Sequence, residues 1–465
     1  MVIATQGRTI SQQARTIREE LSEEFGFRDH LPIELIQDAL DELNIEWRDC
    51  VYTPTVTLWT FLTQVLSADH SCQNAVNKLL VFLLTSGEKP CSPNTGPYCK
   101  ARDRLSEEFV ARLAREVGGR LHENTPAGEL VGGRPIKLID GSTVSMPDTP
   151  ENQELYPQPK TQKKGLGFPI ARLVAIISFY SGAILDLAIG PYKGKGTGEN
   201  ALLRNVWNQL SPGDVAAADR CYASYCNIAM LKQNNVDLVS RLHQKRHHNF
   251  RTGKRLGKQD HIVTWTKPEA CPDWLDKETF EQLPDQLKVR EIKIRVEVDG
   301  FRVREYILVT TLLDAPKEEL AAIFRIRWHV ELDIRSIKSV MQMDVLRCKT
   351  PPMIRKEIWV HLLGYNLIRC VMADAAQKHD LSPRDISFKA ALQTVNAFLD
   401  VLHLIDPKDV PAFYQIMLDA IARHRVGKRP NRCEPRAVKR RPKPHPLLRK
   451  PREQARMCES KTLTA

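Results

Sequence analysis

No apolar run in the 465 residues approaches the ~18 that a membrane-crossing helix needs, so a membrane-spanning role is not expected. Zinc clips are missing too. Cys91 and Cys99 stand eight apart and Cys221 and Cys226 five apart, neither of them a CxxC spacing. Eleven scattered cysteines, an odd number, fit free thiols in a reducing compartment better than a disulfide framework. The opening stretch MVIATQGRTISQQARTIREE lacks the basic-then-apolar pattern of a secretory signal, which makes cytoplasmic residence the expectation. The Gly-rich stretch Tyr192-Lys-Gly-Lys-Gly-Thr-Gly is not a nucleotide-binding loop, because no GxxxxGK[ST] occurs. His243, His247 and His248 sit in a basic run and read as solvated or phosphate-near rather than as metal ligands.

Net charge is also missing from most of the chain. The total is +12, yet residues 421–452 alone hold thirteen Lys and Arg against one acid, Glu434. The remaining residues are formally neutral. This Pro-studded tail cannot bury apolar area, and a cationic arm of that kind gains affinity for nucleic acid by releasing counterions from phosphates. A merely solvated, solubilising tail is the plainer alternative.

The length calls for two or three domains. Residues 1–128 read as a helical N-terminal domain: Leu31 to Leu40, Thr57 to Leu66, Ala75 to Leu84 and Ser106 to Val117 repeat apolar residues at helical spacing. Residues 129–242 change texture to strands at 135–144, 171–180 and 183–189, the last two joined by a Ser181-Gly182 turn. A helix from Glu199, a strand over 214–219, a helix over 224–232 and a strand over 236–240 complete the order βββαβαβ. Residues 243–305 alternate polar and apolar with a turn at Asp299-Gly300, an antiparallel β insertion. Within residues 306–420 helices resume at Lys317, and 421–465 is the basic tail. The fold class expected is α/β: a mixed sheet with flanking helices, the β insertion before a later helix, and an all-helical N-terminal domain.

Within this frame, Asp140 closes the first strand and Asp219 the fourth, where a sheet presents side chains to a cleft. Each alone could be an ordinary turn or cap aspartate. Residues 324–338 then read FRIRWHVELDIRSIK, a predicted helix with Phe324, Arg327, Glu331 and Lys338 on one face. Arg327 and Glu331 at i,i+4 could be a surface ion pair worth about 0.3 kcal/mol. Three carboxylates together, however, meet what phosphodiester cleavage by two metal ions requires. Asp148, Asp186, Asp214 and Glu199 share the region and must be weighed against them. Asp186 alternates onto the opposite face, Asp214 lies in a turn, and Glu199 reads as a helix cap.

The pattern resembles DDE transposases of the insertion-sequence-four type, whose later helix carries a Y-x2-R-x3-E-x6-K signature, read here as Phe324, Arg327, Glu331, Lys338. Leu138-Ile-Asp-Gly-Ser-Thr, Ala218-Asp-Arg-Cys-Tyr and the β insertion resemble that type as well, over roughly residues 130–375. The resemblance implies a ribonuclease-H-like catalytic core. Asp140, Asp219 and Glu331 would bind two Mg²⁺ ions, with Mn²⁺ as an alternative, and Phe324, Arg327 and Lys338 would contact DNA at the element's ends. Phenylalanine at 324 keeps stacking but loses the tyrosine hydroxyl of the signature. Arg325, Arg335 and Trp328 add cationic and aromatic surface, though Trp328 reads equally as core. The resemblance also implies that the β insertion holds a flipped base, a task for Trp265 or Trp274, although a packed core is the stronger reading of each. It further implies cleavage at terminal inverted repeats, strand transfer of the 3′ hydroxyl into target DNA, a dimer on paired ends, and residence at the prokaryotic nucleoid. A structure-selective nuclease of the same fold and an inactive DNA-binding regulator are the competing readings.

Overall fold

The computed structural model describes residues 27, 29–47, 50–126, 132–296, 304–427, 449–455 and 457. The expected turn at Asp299-Gly300, the first 26 residues and most of the basic tail lie outside them.

Among the described residues five helices come first: α1 (Ile33–Glu42), α2 (Pro54–Leu66), α3 (Cys72–Thr85), α4 (Gly96–Arg104) and α5 (Glu107–Glu123). Local chemistry sets their starts. Thr53, Ser71 and Ser106 accept hydrogen bonds from Val56, Asn74 and Phe109 backbone N–H groups, and Pro54 occupies the first turn of α2, where it costs no helical bond. Glu107 and Glu108 add negative charge at the positive end of α5.

Nine strands then form one sheet in the order β3-β2-β1-β4-β5-β9-β8-β7-β6. The first five are β1 (Ile136–Ser145), β2 (Ile170–Ser178), β3 (Ile184–Pro191), β4 (Val215–Ala218) and β5 (Asp237–Arg241). β1 pairs antiparallel with β2 and parallel with β4, and β4 pairs parallel with β5. This mixed arrangement with flanking helices is consistent with a ribonuclease-H-like fold. α6 (Pro150–Leu155) interrupts the expected βββ run, while α7 (Glu199–Arg204) and α8 (Tyr225–Gln233) supply the crossovers. Gly182 turns the β2–β3 hairpin at φ +74°, a conformation that disfavours residues with a side chain.

β6 (Lys254–Gly257), β7 (Asp260–Thr266), β8 (Gln286–Val296) and β9 (Arg304–Thr310), with α9 (Lys277–Gln282) between β7 and β8, are antiparallel and extend this same sheet, because β9 pairs with β5. The chain continues as α10 (Lys317–Ile326), α11 (Trp328–Arg335), a π turn over Ser336–Val340, α12 (Pro351–Lys378), α13 (Phe388–Leu402) and α14 (Val410–Arg423).

The two sheet faces pack against separate cores. Ile136, Leu138 and Val144 of β1 join the N-terminal helices and α12, while Ile139 faces α7 and α8. α12 is buried on nearly all sides and serves as the spine between α5 and the sheet. Its Asn366 is satisfied there: its amide N–H groups reach Ala114 O and Ile184 O at 3.0 and 2.9 Å, and its own oxygen accepts from Ile184 N.

One detail of the expected strand is corrected. Asp140 does not close β1. The strand runs on through Gly-Ser-Thr-Val to Ser145, paired residue for residue with β2, so the aspartate projects from mid-strand.

Candidate active site

Asp140 and Asp219 are brought side by side by the β1–β4 register. Ile139 stands opposite Ala218, and each aspartate is the next residue on its strand or just past it. Side chains alternate along a strand, so both project towards the face that carries α11. The Asp140 carboxylate is only partly exposed, and Gly141 N–H donates to its Oδ1 at 2.8 Å. Burial pushes its pKa up to about 6; the Gly141 hydrogen bond and Arg327 oppose the rise, while the negative charges of Asp219 and Glu199 add to it.

Glu331 arrives from α11. Arg327, at the join of α10 and α11, spans the gap: one guanidinium nitrogen lies 3.9 Å from Asp140 Oδ2 and the other 2.9 Å from Glu331 Oε1. The predicted single helix over 324–338 is therefore a chain of α10, α11 and a π turn. That turn widens the helix around Lys338, whose Nζ donates to Ser142 Oγ at 3.2 Å. Ser142 is two residues beyond Asp140 on the same strand face, so Lys338 also points at the acids. Burial lowers the lysine's pKa, which Asp344 partly offsets.

α11 is pinned from beneath by Asp333, which is fully buried. Its carboxylate accepts from Arg384 Nη1 at 2.7 and 2.8 Å and from Arg369 Nη2 at 2.5 Å, and the Tyr365 hydroxyl lies 3.2 Å away. Arg384 also reaches the Ser178 and Phe179 carbonyls at the end of β2. A buried acid held by two arginines thus ties α11 to α12 and the sheet, with Glu331 on the outward side. Sequence reading missed this residue; its only signal was a second acid at i+2 from Glu331, on another face of the helix.

Glu199 was missed more plainly. It reads as a cap, yet its side chain lies against Gly141, where a β-carbon would stand 2.6 Å from Glu199 Cδ. It also accepts from Cys221 Sγ at 3.2 Å. Burial raises the Cys221 thiol's pKa, and the negative charges of Glu199, Asp219 and Asp140 raise it further. The other acids weighed lie elsewhere: Asp186 pairs with Arg115 at 2.9 Å, Asp214 with Lys137 at 2.7 Å, and Asp148 accepts from Gln153 at 2.8 Å.

Burial distinguishes the four aromatic residues considered. Phe324 is buried with its ring 5.3 Å from that of Tyr306, so it packs α10 onto β9. Trp265 is buried; its indole N–H donates to Glu291 at 2.9 Å and Arg246 covers its ring at 3.6 Å. Trp274 is partly buried against the same core. Trp328, which could have been core, is 56% exposed beside Arg327.

Carboxylate oxygens are hard donors suited to Mg²⁺ or Mn²⁺, and the raised proton affinity of Asp140 reflects chiefly its burial, which Arg327 opposes. The donor set therefore fits a divalent ion. The geometry is not drawn tight: among the described residues no three His, Cys, Asp or Glu side chains stand close enough to hold one ion together. Arg327 fills the space between Asp140 and Glu331 instead.

Residues 132–367 match the family described as "Transposase DDE domain". The chain belongs to the DDE transposases. Over 434 residues this transposase is 26% identical to the transposase InsG for insertion sequence element IS4 of Escherichia coli (strain K12), covering 91% of this chain and 93% of the relative. A solved structure, the piggyBac transposase synaptic complex with hairpin DNA, aligns at 9% identity and a TM-score of 0.45, covering 88% of this transposase and 87% of that chain.

Proposed function

We propose that this transposase cuts DNA at the terminal inverted repeats of an insertion sequence by metal-dependent hydrolysis and joins the freed 3′ hydroxyl to target DNA. Asp140, Asp219 and Glu331 are the metal-binding acids of this reading. Bound Mg²⁺ would activate the attacking oxygen and stabilise the leaving one. The observation that carries the reading is the convergence of Asp140 and Asp219 from neighbouring parallel strands on the face where Arg327 links Asp140 to Glu331.

The side chains supply the rest. Arg327 moves from Glu331 to a non-bridging phosphate oxygen, which frees the glutamate and places a bidentate donor on the substrate. Lys338 adds a second cation from the Ser142 side, where a phosphate would restore the proton affinity that burial takes away. Asp333 keeps α11 in register so that Glu331 stays on the acid face. Arg325, Arg335 and the exposed Trp328 extend the cationic and aromatic surface around it. The N-terminal helices would read the end sequence, the basic tail would add sequence-independent grip, and two copies would pair two ends at the prokaryotic nucleoid.

The test is cleavage of end-bearing DNA in Mg²⁺ by Asp219→Ala and Glu331→Ala. Both variants should lose cutting by at least a thousandfold while binding DNA within a few-fold of the parent. Normal cleavage by either would remove that acid from the mechanism.

A further inference from the structure

Two loops leave the same end of the sheet. Residues 157–169 join α6 to β2, and residues 192–198 join β3 to α7. They are locked side by side: Tyr192 N–H donates to Ile170 O at 3.2 Å, and Arg172 Nη1 donates to Thr197 O at 3.0 Å. The Arg172 guanidinium also covers the Tyr192 ring at 4.7 Å. The loops carry Lys160, Lys163, Lys164, Lys193 and Lys195, all exposed. No acid occurs from residue 155 to 185 or from 187 to 198. Among the described residues, none of these five side chains makes an ion pair or hydrogen bond.

A third basic segment meets the first loop. The ring of Pro451 packs over Gly165, where a β-carbon would stand 3.2 Å from Pro451 Cγ. It arrives within Arg449-Lys450-Pro451-Arg452, so a basic segment from the far end of the sequence meets the first loop. Like charges gathered this way repel one another unless an anion is shared among them. Two aromatic rings stand among them, Phe168 at 53% and Tyr192 at 39% exposure. A solubilising face would intersperse acids and bury its rings. Cations that reach phosphates, with rings that lie against sugar or base, match nucleic acid instead.

Position supplies the scale. β1 runs five residues from Asp140 to Ser145, which pairs with Ile170 at the mouth of the first loop. At about 3.3 Å per residue that is about 17 Å, the rise of about five base pairs. The second loop ends at Glu199, which lies against Gly141 beside the acids. We infer that the two loops form a lysine clamp that grips the phosphates of duplex DNA about five base pairs from the reacting bond. The inference rests on the transposase reading of the site. The same chemistry serves DNA flanking an element's end or the target duplex.

The test replaces all five lysines by Gln, with an all-Arg variant as the charge-preserving control and circular dichroism to verify folding. Each lost phosphate contact flattens the slope of log binding constant against log salt by about 0.9, so the Gln variant should lose up to about 4.5 in slope while the Arg variant keeps it. If the clamp holds flanking DNA, end cleavage falls at least tenfold with binding. If it holds target DNA, cleavage is retained and joining of a pre-cut end into a plasmid falls instead. Unchanged slope, cleavage and joining in the Gln variant would overturn the clamp. A parent protein that binds with the steep slope yet neither cuts nor joins would sink the catalytic reading and leave the clamp standing.

Discussion

Asp140→Asn should make the metal-free protein more stable at neutral pH, although it removes a central acid. The carboxylate is largely buried and feels the negative charges of Asp219 and Glu199, and its nearest guanidinium nitrogen is 3.9 Å away. Raising its pKa from the ordinary 3.8 to about 6 costs the folded chain about 3 kcal/mol at pH 7. The side chain is 20% exposed, so water reduces the expected gain to about 2 kcal/mol. The sign follows from linkage: below about pH 4 the group is neutral folded or unfolded and nothing is lost. Between about pH 4 and 6 the folded state holds the proton longer, and the penalty grows; above pH 6 it is complete. Amide hydrogen exchange of β1 reads this core without assuming that the whole chain unfolds in one step. The Asp140→Asn variant should show about thirtyfold greater β1 protection than the parent at pH 7.5 and equal protection near pH 4. Mg²⁺ should raise protection in the parent and do little in the variant. Lower protection in the variant, or a difference that ignores pH, would refute a buried Asp140 carboxylate held above its ordinary pKa.

Further outcomes follow from other contacts. Asp333→Ala leaves Arg369 and Arg384 buried without their anion and should destabilise the fold by about 3–5 kcal/mol, measured by denaturant unfolding; a loss under about 1 kcal/mol would discard the anchor. Gly141→Ala puts a β-carbon into the space of Glu199 and should cut end cleavage about tenfold with folding intact, whereas full activity would show that Glu199 need not lie there. Removing residues 428–465 should flatten the salt dependence of DNA binding, and an unchanged slope would dismiss the tail's electrostatic role.

How much was readable depended on whether a feature was local. The β2–β3 hairpin was legible because Ser181-Gly182 interrupts two apolar runs, and α8 because Ser224 caps a periodic stretch. Arg327 and Glu331 were placed together by spacing alone, since the i,i+4 relation survives the join between α10 and α11. Features made by tertiary contact were not legible. Glu199 reaches Asp140's neighbourhood only because Gly141 lacks a side chain, and nothing in either segment announces the other. Asp333 and Glu331 look alike in sequence, and only the arginines of α12 and the following turn decide which one is buried. Phe324 lies in the signature stripe, yet its ring is claimed by Tyr306 from a distant strand. β1 was ended too early, at Asp140, because only its pairing with β2 carries the strand on through Gly-Ser-Thr to Ser145.

The most direct measurement maps DNA breaks at nucleotide resolution. Purified protein and Mg²⁺ would be given a fragment that spans the coding sequence and several hundred flanking base pairs, beside the Glu331→Gln variant. The account predicts paired cuts at inverted repeats bracketing the gene, with 3′ hydroxyl ends, absent in the variant. Bound DNA that stays uncut in Mg²⁺ and in Mn²⁺, or cuts that persist in the variant, would contradict it.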